Sequence, residues 1–154
     1  MDIRFTHEEQ AFRQELQEFL RQELPDDWDP LDQGSPHSPE RFPFTRQMSK
    51  KLADKGWLAL SWPKEYGGMG ATTMQQAIFT DEWSYAYAPG RDGEGIGYIG
   101  PAIMVHGTEE QKVQHLSGIA RGEVVWCQGY SEPESGSDLA SLSTRAVLEG
   151  DEWV

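Results

Sequence analysis

The segment that decides the fold is residues 124–138, which read Val-Val-Trp-Cys-Gln-Gly-Tyr-Ser-Glu-Pro-Glu-Ser-Gly-Ser-Asp. It begins as a short apolar run with two β-branched residues, a pattern typical of a buried strand over 124–127. A loop of small and turn-forming residues follows, in which Pro133 interrupts strand pairing and Gly136 frees the backbone. Such a loop gathers several N–H groups and hydroxyls at one spot, which suits a planar polar heterocycle or a phosphate. On composition alone, a plain connecting loop is an equal alternative.

Three strings of the sequence together resemble the acyl-CoA dehydrogenase family. The run Trp-Cys-Gln-Gly-Tyr-Ser-Glu-Pro-Glu-Ser-Gly-Ser-Asp-Leu-Ala-Ser-Leu at 126–142 is similar to its flavin-binding signature, with Ser135 where alanine is commonest. The turn Trp-Pro-Lys-Glu-Tyr-Gly-Gly at 62–68 and the helix start Gly-Thr-Glu-Glu-Gln-Lys at 107–112 are similar to two further family strings. The three strings occur in the order in which the family has them.

The resemblance implies a mainly α fold. It predicts an N-terminal helical-bundle domain over residues 1–122, followed over residues 123–154 by the first strands of a β-barrel-like middle domain. In the family the chain would continue through that middle domain into a C-terminal four-helix bundle. A returning strand of three residues after one hairpin does not make a stable sheet by itself. We therefore expect a fragment or a naturally truncated paralogue that is inactive on its own.

The resemblance also implies FAD as the cofactor, held by the same loop. The backbones of Gln128 and Tyr130, and the hydroxyl and N–H of Ser131, would meet the pyrimidine edge and N5 of the flavin, where reduced flavin accumulates negative charge. Gly136 would let the backbone approach closely. Ser137 would face the pyrophosphate or the thioester-pantetheine part of the substrate. Two acidic residues are expected to anchor the loop structurally, namely Glu132 and Asp138.

A glycine-rich segment at residues 93–104 predicts a tightly packed, buried helix. Its glycines alternate with Ile96, Tyr98 and Ile99, and their spacing is not that of a dinucleotide fingerprint, which would also need a preceding strand. In the resembling family this helix lines the acyl cavity, so Tyr98 joins Ser137 as an expected substrate contact. Close helix packing without a ligand is the alternative, and sequence alone does not separate the two.

The family reaction is α,β-dehydrogenation of an acyl-CoA thioester, in which a base removes the α-proton while the β-hydrogen leaves as hydride to flavin N5. That base is a glutamate in the C-terminal bundle of most members, so no residue of 1–154 is assigned a catalytic role. Expected partners are the acyl-CoA substrate, an electron-transfer flavoprotein or similar acceptor, and further subunits of a homo- or hetero-oligomer. Two alternatives stay open: a non-catalytic subunit or interaction module of a mixed oligomer, and a flavin-dependent oxidase on the same scaffold.

The charge balance argues against several function classes. The 154 residues include 26 acidic and 13 basic side chains, a formal net charge of −13. So negative a surface repels nucleic-acid backbones and anionic lipid heads. The lone Cys127 cannot form an internal disulfide, which fits a reducing compartment, and no signal peptide or apolar run of about 20 residues is present. We therefore expect a cytoplasmic protein. The four histidines lack zinc-ligand spacing, so no metal site is predicted.

Caps and periodicity predict four further helices. The first starts at a Thr6–Glu9 capping box and the last at a Thr108–Gln111 box. Between them we expect helices over about 44–55 and about 74–87, and an irregular polar passage over 25–43. The first helix should carry Arg13, Gln17 and Arg21 on its outer face. Gly150-Asp151 predicts a hairpin turn between strands near 144–148 and at 152–154. The inward positions share helical spacing: Phe12, Leu16, Phe19 and Leu20; Phe44, Met48 and Leu52; Val113, Leu116 and Ile119.

Overall fold

The computed structural model describes residues 5–29 and 38–154, and it is mainly α-helical. In these ranges no helix combines the length and apolar character that crossing a bilayer requires. The predicted irregular passage at 25–43 lies partly outside the described residues, and its last part belongs to a helix that begins at Phe42. The elements in chain order are α1 His7–Glu23, α2 Phe42–Asp54, α3 Thr73–Tyr85, a π-helical turn Gly95–Ile99, α4 Gly100–His106, α5 Glu109–Ala120, β1 Leu148–Glu149 and β2 Glu152–Trp153.

Capping boxes start three of the helices. The hydroxyl of Thr6 accepts the Glu9 N–H at 3.2 Å, while the Glu9 carboxylate accepts the Thr6 N–H at 2.7 Å. Each box satisfies two amides that the first helical turn leaves without intrahelical acceptors. The predicted starts of α1 and α5 are confirmed, and α3 begins one residue earlier than predicted. The other two boxes are Thr72–Gln75 and Thr108–Gln111.

The larger core lies between α1, α2, α3 and an apolar turn at residues 57–62. Phe19 meets the Trp57 ring edge-on, with 5.3 Å between centroids. Phe79 stacks on Trp83 at 5.2 Å. These are the offset and edge-to-face geometries that aromatic pairs prefer. The predicted inward faces of α1 and α2 are confirmed, except that Phe44 is only partly buried. The core residues are Phe12, Leu16, Phe19, Leu20, Met48, Leu52, Trp57, Leu58, Leu60, Ile78, Phe79 and Trp83.

The predicted outer face of α1 borders α3, so Gln17 is exposed as predicted but Arg13 is half-buried. Arg13 donates to the Glu82 carboxylate through Nε, and Gln17 donates to the same carboxylate at 3.0 Å. Arg13 also pairs with Asp81 at 3.3 Å. Glu82 is buried, so α1 and α3 are joined by a charged network at the edge of the apolar core. Arg21 remains exposed as predicted.

A smaller core joins α5 to Trp62. Its buried members are Ala59, Trp62, Leu116, Ile119 and Ala120. Val113, predicted to point inward, is 80% exposed instead. It borders an open groove between α5 and the 3₁₀ turn Lys64–Tyr66, so no other described element covers the first half of that face.

The glycine-rich segment is shaped by Trp62. The Gly100 N–H bonds to the Gly95 carbonyl, five residues back, which makes Gly95–Ile99 a π-helical turn. The Ile96 carbonyl accepts a hydrogen bond from the Trp62 indole N–H at 3.0 Å. A Cβ on Gly100 would overlap the Trp62 ring. The tight packing predicted from the glycines therefore holds on the inner side, where Gly95 and Gly100 are buried, whereas Gly97 and Tyr98 are exposed on the other side.

The strand predicted for 124–127 is wrong, whereas the hairpin is confirmed. Residues 123–131 have no regular secondary structure, because no described strand lies beside them to receive their backbone hydrogen bonds. Leu148 pairs with Trp153 across the hairpin, and Gly150 takes a positive φ of 67° in its turn. Reciprocal bonds between Val147 and Val154 extend the pairing by one step, at 2.8 and 2.9 Å. The segment 142–147 is otherwise outside the sheet.

Candidate functional site

The loop of the signature is closed by a tight turn. The Glu132 N–H donates to the Ser135 carbonyl at 3.0 Å, and the Ser135 N–H returns to the Glu132 carbonyl at 3.1 Å. Pro133 fits the turn because it supplies a fixed φ and needs no acceptor. Ser135 is 5% exposed, and its hydroxyl donates to the Asp138 carbonyl at 2.7 Å. The serine that replaces the commoner alanine thus adds a hydrogen bond inside the loop.

Glu132 ties the loop to the segment that precedes β1. Its carboxylate accepts the backbone N–H groups of both Ser143 and Thr144, the latter at 2.9 Å, and both of their hydroxyls. These bonds, first of all the one from the Thr144 hydroxyl and then the one from the Ser143 N–H, hold the pKa of Glu132 below its ordinary value of 4.5. Four donors on one carboxylate favour its ionised form. Glu132 is therefore a structural anchor of the loop.

Asp138 holds the far end of the loop through its backbone. Its carbonyl accepts the Ser135 hydroxyl, the Ser141 N–H at 3.1 Å and the Ser141 hydroxyl at 2.9 Å. At position 138 the loop is therefore anchored by the backbone carbonyl, whereas the carboxylate forms no hydrogen bond within the described ranges.

The predicted binding residues present uncommitted donors. In the part of the chain that the structure describes, the N–H groups of Gln128, Tyr130 and Ser131 donate to no acceptor, and neither do the hydroxyls of Ser131 and Ser137. All four side chains are exposed. A row of free amides flanked by hydroxyls can bind the carbonyl and imide edge of a planar ring.

Gly136 and Ser131 are neighbours across the loop. A Cβ built on Gly136 would lie 3.6 Å from the Ser131 hydroxyl oxygen, so a larger side chain at 136 would crowd that hydroxyl. Tyr98, the other expected substrate contact, lies on the π-helical turn and is 65% exposed. The described residues show no hydrogen bond between Tyr98 and the loop.

Trp126 fastens the loop to the helical domain. Its side chain packs against the smaller core, and its ring meets the His115 ring edge-on at 5.7 Å. This ring contact accounts for the partial burial of His115. Cys127, which belongs to the segment predicted as a buried strand, is exposed. The neighbouring Trp126 therefore supplies the apolar anchor of this segment.

The role of Ser143 and Thr144 as partners of Glu132 was not predicted from the sequence. They hold Glu132 from 11 and 12 residues away, a separation that belongs to no helical or strand period. Within the described ranges, no group of three or more His, Cys, Asp or Glu side chains is arranged to hold a metal ion. His37 lies outside those ranges.

Comparison with known proteins identifies the family. The family model described as acyl-CoA dehydrogenase, N-terminal domain, matches residues 6–123. The chain belongs to the acyl-CoA dehydrogenase family. It is 49% identical over 109 residues to the acyl-CoA dehydrogenase FadE26 of Mycobacterium tuberculosis, a match that covers 71% of this chain and 27% of that protein.

Two solved structures extend the likeness over the whole chain. One is the crystal structure of the ChsE4-ChsE5 complex from Mycobacterium tuberculosis, with 39% identity and a TM-score of 0.79 over 100% of this chain and 38% of that one. The other is the Tcur3481-Tcur3483 steroid ACAD, with 39% identity and a TM-score of 0.81 over 100% of this chain and 39% of that one. The chain thus spans well under half the length of the relatives it matches.

Proposed function

We propose that this protein is the N-terminal part of an FAD-dependent acyl-CoA dehydrogenase, in which residues 1–122 form the helical domain and residues 123–154 open the middle domain. The observation that carries this proposal is the row of uncommitted amides at Gln128, Tyr130 and Ser131 in a chain of this family. The flavin would supply the hydride acceptor for α,β-dehydrogenation of the acyl-CoA thioester. No residue of 1–154 is assigned as the base.

The loop residues divide into those that bind and those that hold the loop in shape. Gln128, Tyr130 and Ser131 would donate to the flavin's acceptor edge, where negative charge accumulates on reduction. Gly136 would leave room for close approach beside Ser131. Ser137 would donate to the pyrophosphate or to the substrate's thioester-pantetheine part. The anchors Glu132, Ser143 and Thr144 would keep these donors in register, and Tyr98 would border the acyl chain.

We further propose that the acyl group is carried on a steroid-derived or similarly branched skeleton. The support is the 39% identity to a structure described as a steroid ACAD. An electron-transfer flavoprotein or similar acceptor would reoxidise the flavin. The cell compartment that fits these partners is the cytoplasm.

A mixed oligomer is also part of the proposal. The ChsE4-ChsE5 structure is a complex of two named proteins, and this chain exposes Tyr98, Val105 and Val113 on the π-turn, α4 and α5. Large exposed apolar side chains on neighbouring helices are typical of surfaces that another domain or subunit covers. A non-catalytic subunit that packs through this surface is the second candidate function. It would keep the helical domain but show no flavin-dependent turnover in any complex.

Flavin affinity tests the binding assignment. We expect Gly136→Val to weaken FAD binding by at least about tenfold, and Ser131→Ala by about fivefold, because each changes the donor row or the room beside it. Glu134→Gln is the matched control, since Glu134 lies exposed in the same loop, and it should change affinity less than about twofold. The readout is the quenching of flavin fluorescence on binding to the longer protein, which also includes the residues encoded after Val154. Equal affinities for all three variants would remove the loop from the flavin site.

A further inference from the structure

The last turn of α5 fixes the direction in which the chain leaves the helix. The Gly122 N–H donates to the Ile119 carbonyl at 3.0 Å, and the Glu123 N–H donates to the Gly118 carbonyl at 3.0 Å. These are the two hydrogen bonds of a Schellman motif, in which Gly122 takes the left-handed position with φ of 61°. A Cβ built on Gly122 would lie 3.1 Å from Leu58 Cδ2. The exit from α5 is therefore tightly constrained.

Arg46 of α2 holds the two carbonyls that follow this turn. Its Nη2 donates to the Gly122 carbonyl at 2.7 Å and to the Glu123 carbonyl at 3.2 Å. Within the described ranges no other group donates to either carbonyl. Gly122 is buried, and a buried carbonyl without a donor is costly, while a positive charge is favourable beside a helix C-terminus. Arg46 therefore joins α2 to the start of the segment that leads into the signature loop.

Few other contacts hold the stretch between these carbonyls and the loop. Val124 and Val125 are 42% and 53% exposed. Val125, Trp126 and Arg46 are among the residues that line a cavity of about 180 Å³, whereas a close-packed interior contains few voids larger than a water molecule. Packing therefore does not fix residues 124–125. Two attachments hold this stretch, namely the Arg46 bonds before it and the Trp126 side chain after it, which packs against the smaller core.

We propose that Arg46 is a positioning residue for the flavin site: by holding the Gly122 and Glu123 carbonyls, it sets where the amides of the signature loop lie relative to the helices. Arg46 can have this role only if the loop binds flavin, so the assignment rests on the proposed function. The donor row begins at Gln128, five residues beyond Glu123, so a change of direction at the α5 exit displaces the whole row. A displacement of about 1 Å is enough to impair a positioned site by about 100-fold.

The test measures two properties of the longer protein that also includes the residues encoded after Val154. One is the Kd for FAD, and the other is the visible circular dichroism of the bound flavin at saturating FAD. Arg46→Met keeps an apolar stem and removes both hydrogen bonds, so we expect the Kd to rise at least about tenfold. The dichroism per bound flavin should also change, because the donors approach the ring differently. Arg46→Lys restores a charged donor and should recover most of both properties.

Lys50→Met is the matched control. Lys50 is exposed on the same helix, one turn from Arg46, and bonds to neither carbonyl, so its loss should change the Kd less than about twofold. Thermal unfolding shows whether each variant folds, and Arg46→Gln, which keeps a neutral donor, replaces Arg46→Met if that variant does not. A purely structural role for Arg46 would lower the amount of folded protein and leave the dichroism per bound flavin unchanged. That result overturns the proposal.

The remaining outcomes separate the role of Arg46 from the flavin assignment. If the unsubstituted longer protein binds no FAD, the proposed function fails and the role of Arg46 fails with it. If it binds FAD and Arg46→Met keeps the same Kd and dichroism, the proposed function stands and Arg46 is not a positioning residue. Equal losses in Arg46→Met and Lys50→Met, or no recovery in Arg46→Lys, would also overturn the proposal.

Discussion

At the scale of single residues, the environment of a glycine decides what it contributes to the stability of the fold. Gly100 lies against the Trp62 ring, and Gly97, three residues earlier, has nothing within 4 Å of where a Cβ would be. We expect Gly100→Ala to lower the free energy of unfolding by about 2 kcal/mol, because the added methyl displaces Trp62 and its bond to the Ile96 carbonyl. Urea unfolding followed by circular dichroism measures this.

The matched control is Gly97→Ala, which should be neutral or stabilise the protein by up to about 1 kcal/mol, because it reduces the entropy of the unfolded chain. Equal destabilisation by both variants would show that Trp62 does not account for the glycine at 100.

Glu132 gives a second prediction at this scale. Replacing it by glutamine removes the charge to which Ser143 and Thr144 donate, so the loop should open locally without unfolding the helices. We expect amide hydrogen exchange at Ser143 and Thr144 to accelerate at least about tenfold in Glu132→Gln, with an unchanged unfolding midpoint. Protection that survives the substitution would mean that other contacts hold the loop.

The same anchor should respond to pH. The folded-state pKa of Glu132 is lowered from 4.5, so its contribution is fully present above that value and is lost as pH falls through the lowered pKa. In the unsubstituted chain, protection of the Thr144 amide should therefore be constant above about pH 5 and decline in more acidic solution. In Glu132→Gln this pH dependence should vanish. A decline centred above pH 5 would require a different titrating group.

At the scale of elements, the contact between α1 and α3 combines apolar packing with a charged network. The Glu82 side chain is 11% exposed and that of Arg13 is 36% exposed. Breaking a fully buried pair costs about 3–5 kcal/mol, and partial exposure of Arg13 reduces this through solvent screening. We expect Glu82→Gln to destabilise the protein by about 2 kcal/mol in thermal or urea unfolding.

The control for that network is Asp81→Asn, since the Asp81 side chain is 72% exposed and also pairs with Arg13. It should cost less than about 0.5 kcal/mol. If the two variants were equally destabilised, charge on Arg13 rather than burial of Glu82 would govern the α1–α3 contact.

Elements also show how far sequence reasoning extends. Helix starts are local, because a threonine and the residue three positions later carry the whole capping signal, and the boxes at Thr6 and Thr108 could be predicted. Faces are less local. Val113 has the spacing of an inward residue but is 80% exposed, and Gln17 has the spacing of an outward residue but also donates to Glu82. The prediction of a strand at 124–127 was wrong for the same reason, because a strand depends on pairing partners that are distant in sequence.

At the scale of the whole molecule, the helices enclose two packed cores while the signature loop is exposed. Both cores are closed by α1 to α5 and the Trp57–Trp62 turn, whereas nearly every residue from 127 onward is exposed, with Glu132 and Ser135 as the exceptions. The loop's own ties could not be predicted from sequence, because Glu132 finds Ser143 and Thr144 only through the fold. Its donors therefore face solvent, and we expect the 154-residue chain alone to bind flavin poorly.

The most direct test of the account compares the visible absorption spectra of two purified proteins. One is the chain of residues 1–154, and the other is a longer protein that also includes the residues encoded downstream of Val154. We predict flavin bands in the longer protein, their bleaching on addition of a steroid-derived acyl-CoA, and a colourless 154-residue chain. Bleaching would demonstrate reduction of the bound flavin by the substrate. Absence of flavin from both proteins would contradict the dehydrogenase assignment and leave a structural member of the acyl-CoA dehydrogenase family.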